Sequence, residues 1–175
     1  MELLKGFPIQ KYLDKKPPSD NSTTTKGEIQ ELTKLPIREK FIREKDDIIK
    51  SFEGIVGKDP IIQTLIYETH PIVLKIKKHH NRPRPKVIAK KMKTKMKDME
   101  MASMNTPSYP SGHSVQGILI AKVLADKYPN KKDKLKKMGR DISYSRRSAR
   151  AHYKSDSTFG EQIGNDMYNY IKDKI

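Results

Sequence analysis

Three short stretches of the chain carry residue types that make chemical sense together. The first is Lys77-Lys78-His79-His80-Asn81-Arg82-Pro83-Arg84-Pro85, the second Tyr109-Pro110-Ser111-Gly112-His113-Ser114, and the third Ser145-Arg146-Arg147-Ser148-Ala149-Arg150-Ala151-His152-Tyr153-Lys154-Ser155-Asp156. Between them they supply separate cations, a hydroxyl beside a glycine, two histidines, and a carboxylate four residues after the second histidine. A helix start with a small Ser-Gly pair attracts anions, because its first amides lack intrahelical acceptors and the helix dipole favours negative charge there. Arginine adds bidentate contacts to phosphate oxygens. Histidine and aspartate add nucleophilic and acid-base capacity. The combination points to phosphoryl transfer.

The elements that must position these groups read as helices. Apolar residues recur at helical spacing from Gly27 onward, strict alternation is nearly absent, and the sequence predicts an all-α fold. A first helix is predicted after Pro36, carrying Ile37, Phe41, Ile48, Ile49 and Phe52 and ending at Gly54. Asp59-Pro60 is a cap followed by a first-turn proline, and it opens a helix towards Arg82 with a break or kink at Pro71. Ser111 opens another, stopped by Pro129. Two more are predicted, from about Lys132 to Ala151 and from about Asp156 onward. Residues 1–26, with Lys15-Lys16-Pro17-Pro18 and a Ser/Thr/Asn run, hold little apolar surface and are expected to form a flexible arm, leaving 27–175 as the folded domain.

Composition narrows the classes further. The chain has 175 residues, enough for one domain with a core, and 37 Lys+Arg against 21 Asp+Glu give a net charge of +16. The absence of cysteine removes disulfide scaffolds and thiolate zinc sites. No apolar run approaches a membrane span, and the first residues lack a signal-peptide core, so a soluble, intracellular, basic protein is expected. Such charge attracts anionic partners: a phosphorylated small molecule, an anionic membrane surface or, less in keeping with the motifs, nucleic acid. The lysines after Lys86, namely Lys90, Lys91, Lys93, Lys95 and Lys97, read as a solvated face or an anion-binding patch. Met92, Met96, Met99 and Met104 are expected to pack this connection against the body, or to form an adaptable lid.

In order and interval the three stretches resemble the phosphatidic acid phosphatase type 2 superfamily, which includes class A acid phosphatases, lipid phosphatases and vanadium haloperoxidases. Its signature is Lys, six residues, Arg-Pro; then Pro-Ser-Gly-His; then Ser-Arg, five residues, His, three residues, Asp. Lys77 with Arg84-Pro85, Pro110 to His113, and Ser145-Arg146 with His152 and Asp156 fit it. Lys75 with Arg82-Pro83 is a second register for the first block. Lys77 is preferred because the soluble phosphatases of the family carry an extra Arg two positions before the motif Arg, which Arg82 matches. Those relatives usually have Tyr at the position of His80, and Gly at the position of Arg150, where a small residue lets helices approach near the nucleophile.

The resemblance implies a compact helical bundle of the acid phosphatase and vanadium haloperoxidase type, with 27–175 as a phosphatase domain. It implies His152 as nucleophile, Asp156 orienting that ring, His113 as general acid and base, and Lys77, Arg84, Ser111, Gly112 and Arg146 binding phosphate. Arg82 and Arg150 are candidate additions to the anion site. The scheme requires neither metal nor cofactor. Small phosphomonoesters or nucleotides are the expected substrates. The alternatives are a lipid phosphate or diphosphate at a membrane surface, a vanadate haloperoxidase, and a non-catalytic basic nucleic-acid-binding module.

Overall fold

The computed structural model describes residues 2–175, which form an all-α bundle. Its helices are α1 (Gln10–Asp14), α2 (Thr23–Lys34), α3 (Glu39–Asp46), α4 (Ile48–Val56), α5 (Pro60–His80), α6 (Pro85–Lys91), α7 (Gly112–Lys127), α8 (Lys132–Ser148) and α9 (Lys154–Ile171). Among the described residues no helix is long and apolar enough to cross a membrane.

The apolar α7 sits at the centre, packed on α8, α9 and α5. Val115, Leu119, Ile120, Val123 and Leu124 of α7 meet Ile62, Leu65 and Ile76 of α5, Leu135 and Ile142 of α8, and Phe159, Ile163 and Met167 of α9 in one core. Glycines set the spacing. A Cβ on Gly160 of α9 would stand 2.6 Å from the Ser111 carbonyl oxygen, one on Gly164 2.6 Å from that of Val115, and one on Gly139 of α8 2.7 Å from that of Gly117. These backbones touch at distances no larger side chain permits, so the start of α7 is held against α9.

Three local expectations change. The helix predicted from Pro36 to Gly54 is two helices, broken at Asp47, whose carboxylate accepts the Lys50 amide and caps α4. The predicted break at Pro71 does not occur: α5 runs as one helix to His80 and ends on Asn81 in the left-handed region. Residues 2–26 are also packed rather than loose. Leu3, Leu4, Phe7 and Tyr12 are buried in the main core, and Tyr12 lies between Phe7 and Phe159. Ser22 caps α2 by accepting the Thr25 amide, and α2 lays Ile29 on Ile88, Ala89 and Tyr153. The apolar residues of this segment are few, but each reaches a prepared surface.

The methionine-rich connection packs as expected. Met92 and Met96 lie on the Ile29–Tyr153 cluster, and Met99 is buried with Ile42, Ala149 and Ala151. From Lys91 to Lys97 the lysines are exposed while the alternate residues Met92, Thr94 and Met96 are half-buried, so the segment presents a comb of charge.

Candidate active site

His152 follows α8 in the short turn before α9 and is buried. Its Nδ1 is 3.1 Å from Asp156 Oδ2, and its Nε2 is 3.0 Å from Nη1 of Arg84. A guanidinium can only donate, so Nε2 presents its lone pair and the ring proton sits on Nδ1, donated to Asp156. Burial first, then the charges of Arg84, Lys77 and Arg146, hold the His152 pKa well below the usual histidine range. The ring is therefore a neutral imidazole with one basic nitrogen facing cations.

Asp156 lies in the first turn of α9, and its position comes from local sequence. Its Oδ2 accepts the Tyr153 amide at 3.0 Å in a capping box, and the Ser108 hydroxyl also donates to it. Arg82 Nη1 donates to Oδ1 at 2.8 Å. Full burial pushes this carboxyl up to about 6, against the opposing pull of Arg82 and the hydrogen bonds. Arg82 is itself held by Ser155 Oγ at 2.7 Å and Glu28 at 3.4 Å, and it lies 3.7 Å over the Tyr153 ring. Glu28 of α2 also accepts the Ser155 amide and hydroxyl. Arg82 is thus bound to the carboxylate behind the histidine and does not add to the anion cage.

The cage in front of His152 contains Lys77, Arg84 and Arg146, all buried. Lys77 Nζ donates to Thr106 Oγ1 at 3.0 Å; Arg84 donates to Thr106 and to the Ser103 carbonyl; Arg146 Nη2 donates to Ser103 Oγ at 2.8 Å. Nε of Arg146 is buried with no hydrogen-bond partner among the described residues. Ser111 caps α7 by accepting the Ser114 amide at 3.2 Å, and its own amide donates to the Asp156 carbonyl. This leaves the Gly112 and His113 amides at the open start of α7. A cavity of about 270 Å³ is lined by Lys77, Gly112, His113, His152, Ser103 and Thr106, together with His70, Leu74, Ala102 and Gln116.

The structure thus brings Lys77, Arg84, Ser111, Gly112, His113, Arg146, His152 and Asp156 together. Lys75 is exposed, which leaves Lys77 as the lysine of the cage. Arg150 departs from expectation. It stands at φ +60°, and its guanidinium donates to the carbonyls of Leu32, Thr33 and Leu35, at the end of α2, and to that of Lys97. It is a buried brace between α2 and the lysine comb and contributes nothing to the anion cage. That left-handed backbone favours glycine, and the cation against the carbonyl end of a helix offsets the strain here. His80 Nε2 donates to the Tyr12 carbonyl, and the ring packs against Tyr109 and Phe159.

Residues outside the motifs also take part. Thr106, Ser103, Ser108 and Glu28 have no sequence signal beyond lying near the blocks or on α2. Asp46, the last residue of α3, contacts both His113 and Arg146. Only the fold brings it there.

With this geometry in view, the wider similarities fall into place. The chain belongs to the PAP2 superfamily, whose model matches residues 61–165, from the first turn of α5 to the second half of α9. It is 34% identical over 88 residues to a non-specific acid phosphatase of Salmonella typhimurium and 33% identical over 88 residues to one of Salmonella typhi. Each match covers 50% of this chain and 35% of the relative, so the chain spans about a third of the length of these curated relatives.

The electrostatics of the cage make one expectation measurable. Burial, then the charge of Arg84, lowers Lys77 to about 7. Lys77 is charged below that pH and neutral above it, so anion binding should weaken as pH rises through 7. Sulfate stays a dianion across this range and isolates the protein's own titration. Its dissociation constant, by calorimetry, is expected to rise about tenfold per pH unit above 7. In Lys77→Gln it should be weaker at acidic pH and nearly flat. A constant unchanged between pH 6 and 9 in the wild type would contradict the assignment.

Proposed function

We propose that this protein is a phosphoric ester hydrolase that works through a phosphohistidine on His152, with small phosphomonoesters as substrates. One observation carries the reading: a buried imidazole has its Nδ1–H on a carboxylate and its Nε2 lone pair among three buried cations. In the first step Nε2 of His152 attacks phosphorus in line, the ester P–O bond breaks, and His113 gives its proton to the leaving oxygen. Asp156 stabilises the imidazolium character that develops, as a carboxylate does for other reactive histidines. In the second step water attacks phosphorus and passes a proton to His113. The P–N bond then breaks and its electron pair returns to His152. Lys77, Arg84, Arg146 and the first amides of α7 balance charge on the equatorial oxygens.

The 270 Å³ cavity is at the small end of ligand sites and favours compact leaving groups. A second reading, a phosphate ester with an apolar chain at an anionic membrane surface, rests on a different feature. An apolar groove of about 820 Å³ is lined by Gln63, Ile66, Tyr67 and His70 of α5, and His70 also lines the small cavity with Leu74 and Lys77. These positions fall on one helical stripe, so an alkyl tail could follow it from the cage. The exposed lysine comb would add about 1 kcal/mol per lysine at an acidic surface.

The deciding experiment is a panel of alkyl phosphates of rising chain length, nucleotides and diphosphates, assayed with chelator and with vanadate. Activity that survives chelation, with competitive inhibition by vanadate as a mimic of the trigonal bipyramidal transition state, is expected. Similar kcat/KM for short and long chains supports the small-ester reading. A steady rise with chain length, enhanced by anionic vesicles at low salt, supports the second. No hydrolysis of any phosphate ester, with salt-dependent nucleic-acid binding instead, would overturn both.

A further inference from the structure

We propose that Asp46 is a positioning residue for His113, acting through a carboxylate oxygen that it shares between the His113 ring and the Arg146 guanidinium. The inference rests on the reading of His113 as general acid in the proposed reaction. It starts from the break that the sequence did not foretell. Because Asp47 caps α4, α3 ends at Asp46 and turns both its carbonyl and its carboxylate toward the start of α7.

His113 Nε2 is 2.9 Å from the Asp46 carbonyl oxygen and 3.2 Å from its Oδ1. The same Oδ1 lies 3.1 Å from Arg146 Nη1 and 3.3 Å from the Ser103 hydroxyl. Two acceptors on Nε2 keep a proton on that nitrogen whatever the charge of the ring. Titration is thereby confined to Nδ1, the atom left for the leaving oxygen.

The charge of Asp46 has a second consequence. The cage around His113 is cationic: Arg146 of α8 faces it, and Lys77 of α5 and the His152 ring share its cavity. Burial first, then Arg146, hold the His113 pKa below the usual histidine range, and Asp46 opposes them and limits that fall. Asp46 is itself held below the usual carboxylate range, by the His113 hydrogen bond first and then by Arg146, so it is ionised wherever the site works. The site then contains two imidazole–carboxylate pairs with opposite tasks. His152 beside the fully buried Asp156 is held well below the usual histidine range and stays neutral to attack, whereas His113 beside the half-exposed Asp46 is lowered less and takes up its proton first as pH falls.

Asp46→Asn separates charge from geometry, since an amide oxygen and the unchanged carbonyl can still accept Nε2–H. Asparagine is expected to lower the His113 titration by about one unit in histidine NMR. The alkaline limb of kcat/KM should move down with it. At that limb an alkyl phosphate should lose about tenfold, while p-nitrophenyl phosphate, whose leaving group needs little protonation, loses less than about threefold. Asp46→Glu should restore part of the alkyl phosphate rate. Equal loss for both esters with an unmoved pH profile would make Asp46 a merely structural partner of Arg146 and overturn the proposal, as would an unchanged His113 titration. If the titration moves but the wild type forms no phosphoenzyme, the Asp46–His113 pair stands and the hydrolase reading fails.

Discussion

His152→Ala is expected to abolish both turnover and the acid-labile phosphoenzyme, because it removes the imidazole whose Nε2 lone pair is fixed among the cations by the Nδ1–H bond to Asp156. The loss should exceed about ten-thousandfold, the scale seen when a covalent nucleophile is removed from a coupled catalytic unit. His113→Ala should behave differently. With an activated aryl phosphate the leaving group departs unaided, so label should still reach His152 while hydrolysis of the intermediate slows and the phosphoenzyme accumulates. Rapid quench with labelled substrate, followed by mapping of the modified residue, reads both effects. Label on His113, or label surviving in His152→Ala, would reverse the roles of nucleophile and acid.

The second large effect concerns the support behind the nucleophile. Asp156→Asn retains shape but replaces the acceptor for Nδ1–H with a group that can also donate, which favours the wrong tautomer. By analogy with other His–Asp pairs, a loss of about 10⁴ in kcat is expected, with KM little changed. Arg82→Gln acts on the same pair through stability. It leaves Asp156 fully buried without its ion partner and Glu28 without its cation. Breaking such a pair from one side costs about 3–5 kcal/mol, a large share of a domain's total stability. Without Arg82 the Asp156 carboxyl should titrate above its present value of about 6, so the acid limb of the pH–rate profile moves upward. Urea melts of the two single variants and the double variant test this, the double being expected to regain part of the loss. An Arg82→Gln protein as stable as the wild type would refute the account.

The residues of the candidate site were legible in the sequence because the relevant information is local. Asp156 reaches the Tyr153 amide within one helical turn, His152 lies four residues from Asp156, and Ser111 caps its own helix. Periodicity exposed α5, α8 and α9 for a similar reason, since each buries an apolar stripe whose spacing is a property of the helix itself, and the central α7 was marked by its apolar run and its Ser111 cap.

What the tertiary structure alone decided involves partners distant in sequence. Arg82 and Arg150 look alike as isolated cations, yet one holds Asp156 and the other braces the end of α2. Only the path of the chain tells them apart. The packing of residues 2–26 depends on a few large side chains finding Phe159 and the α4–α5 surface, which composition cannot register. Asp46 is the clearest case. Its sequence neighbourhood is an ordinary charged helix end, and its importance arises from contacts with residues 67 and 100 positions away. Local spacing determines which groups can react; long-range packing determines which charges face them, and so their protonation.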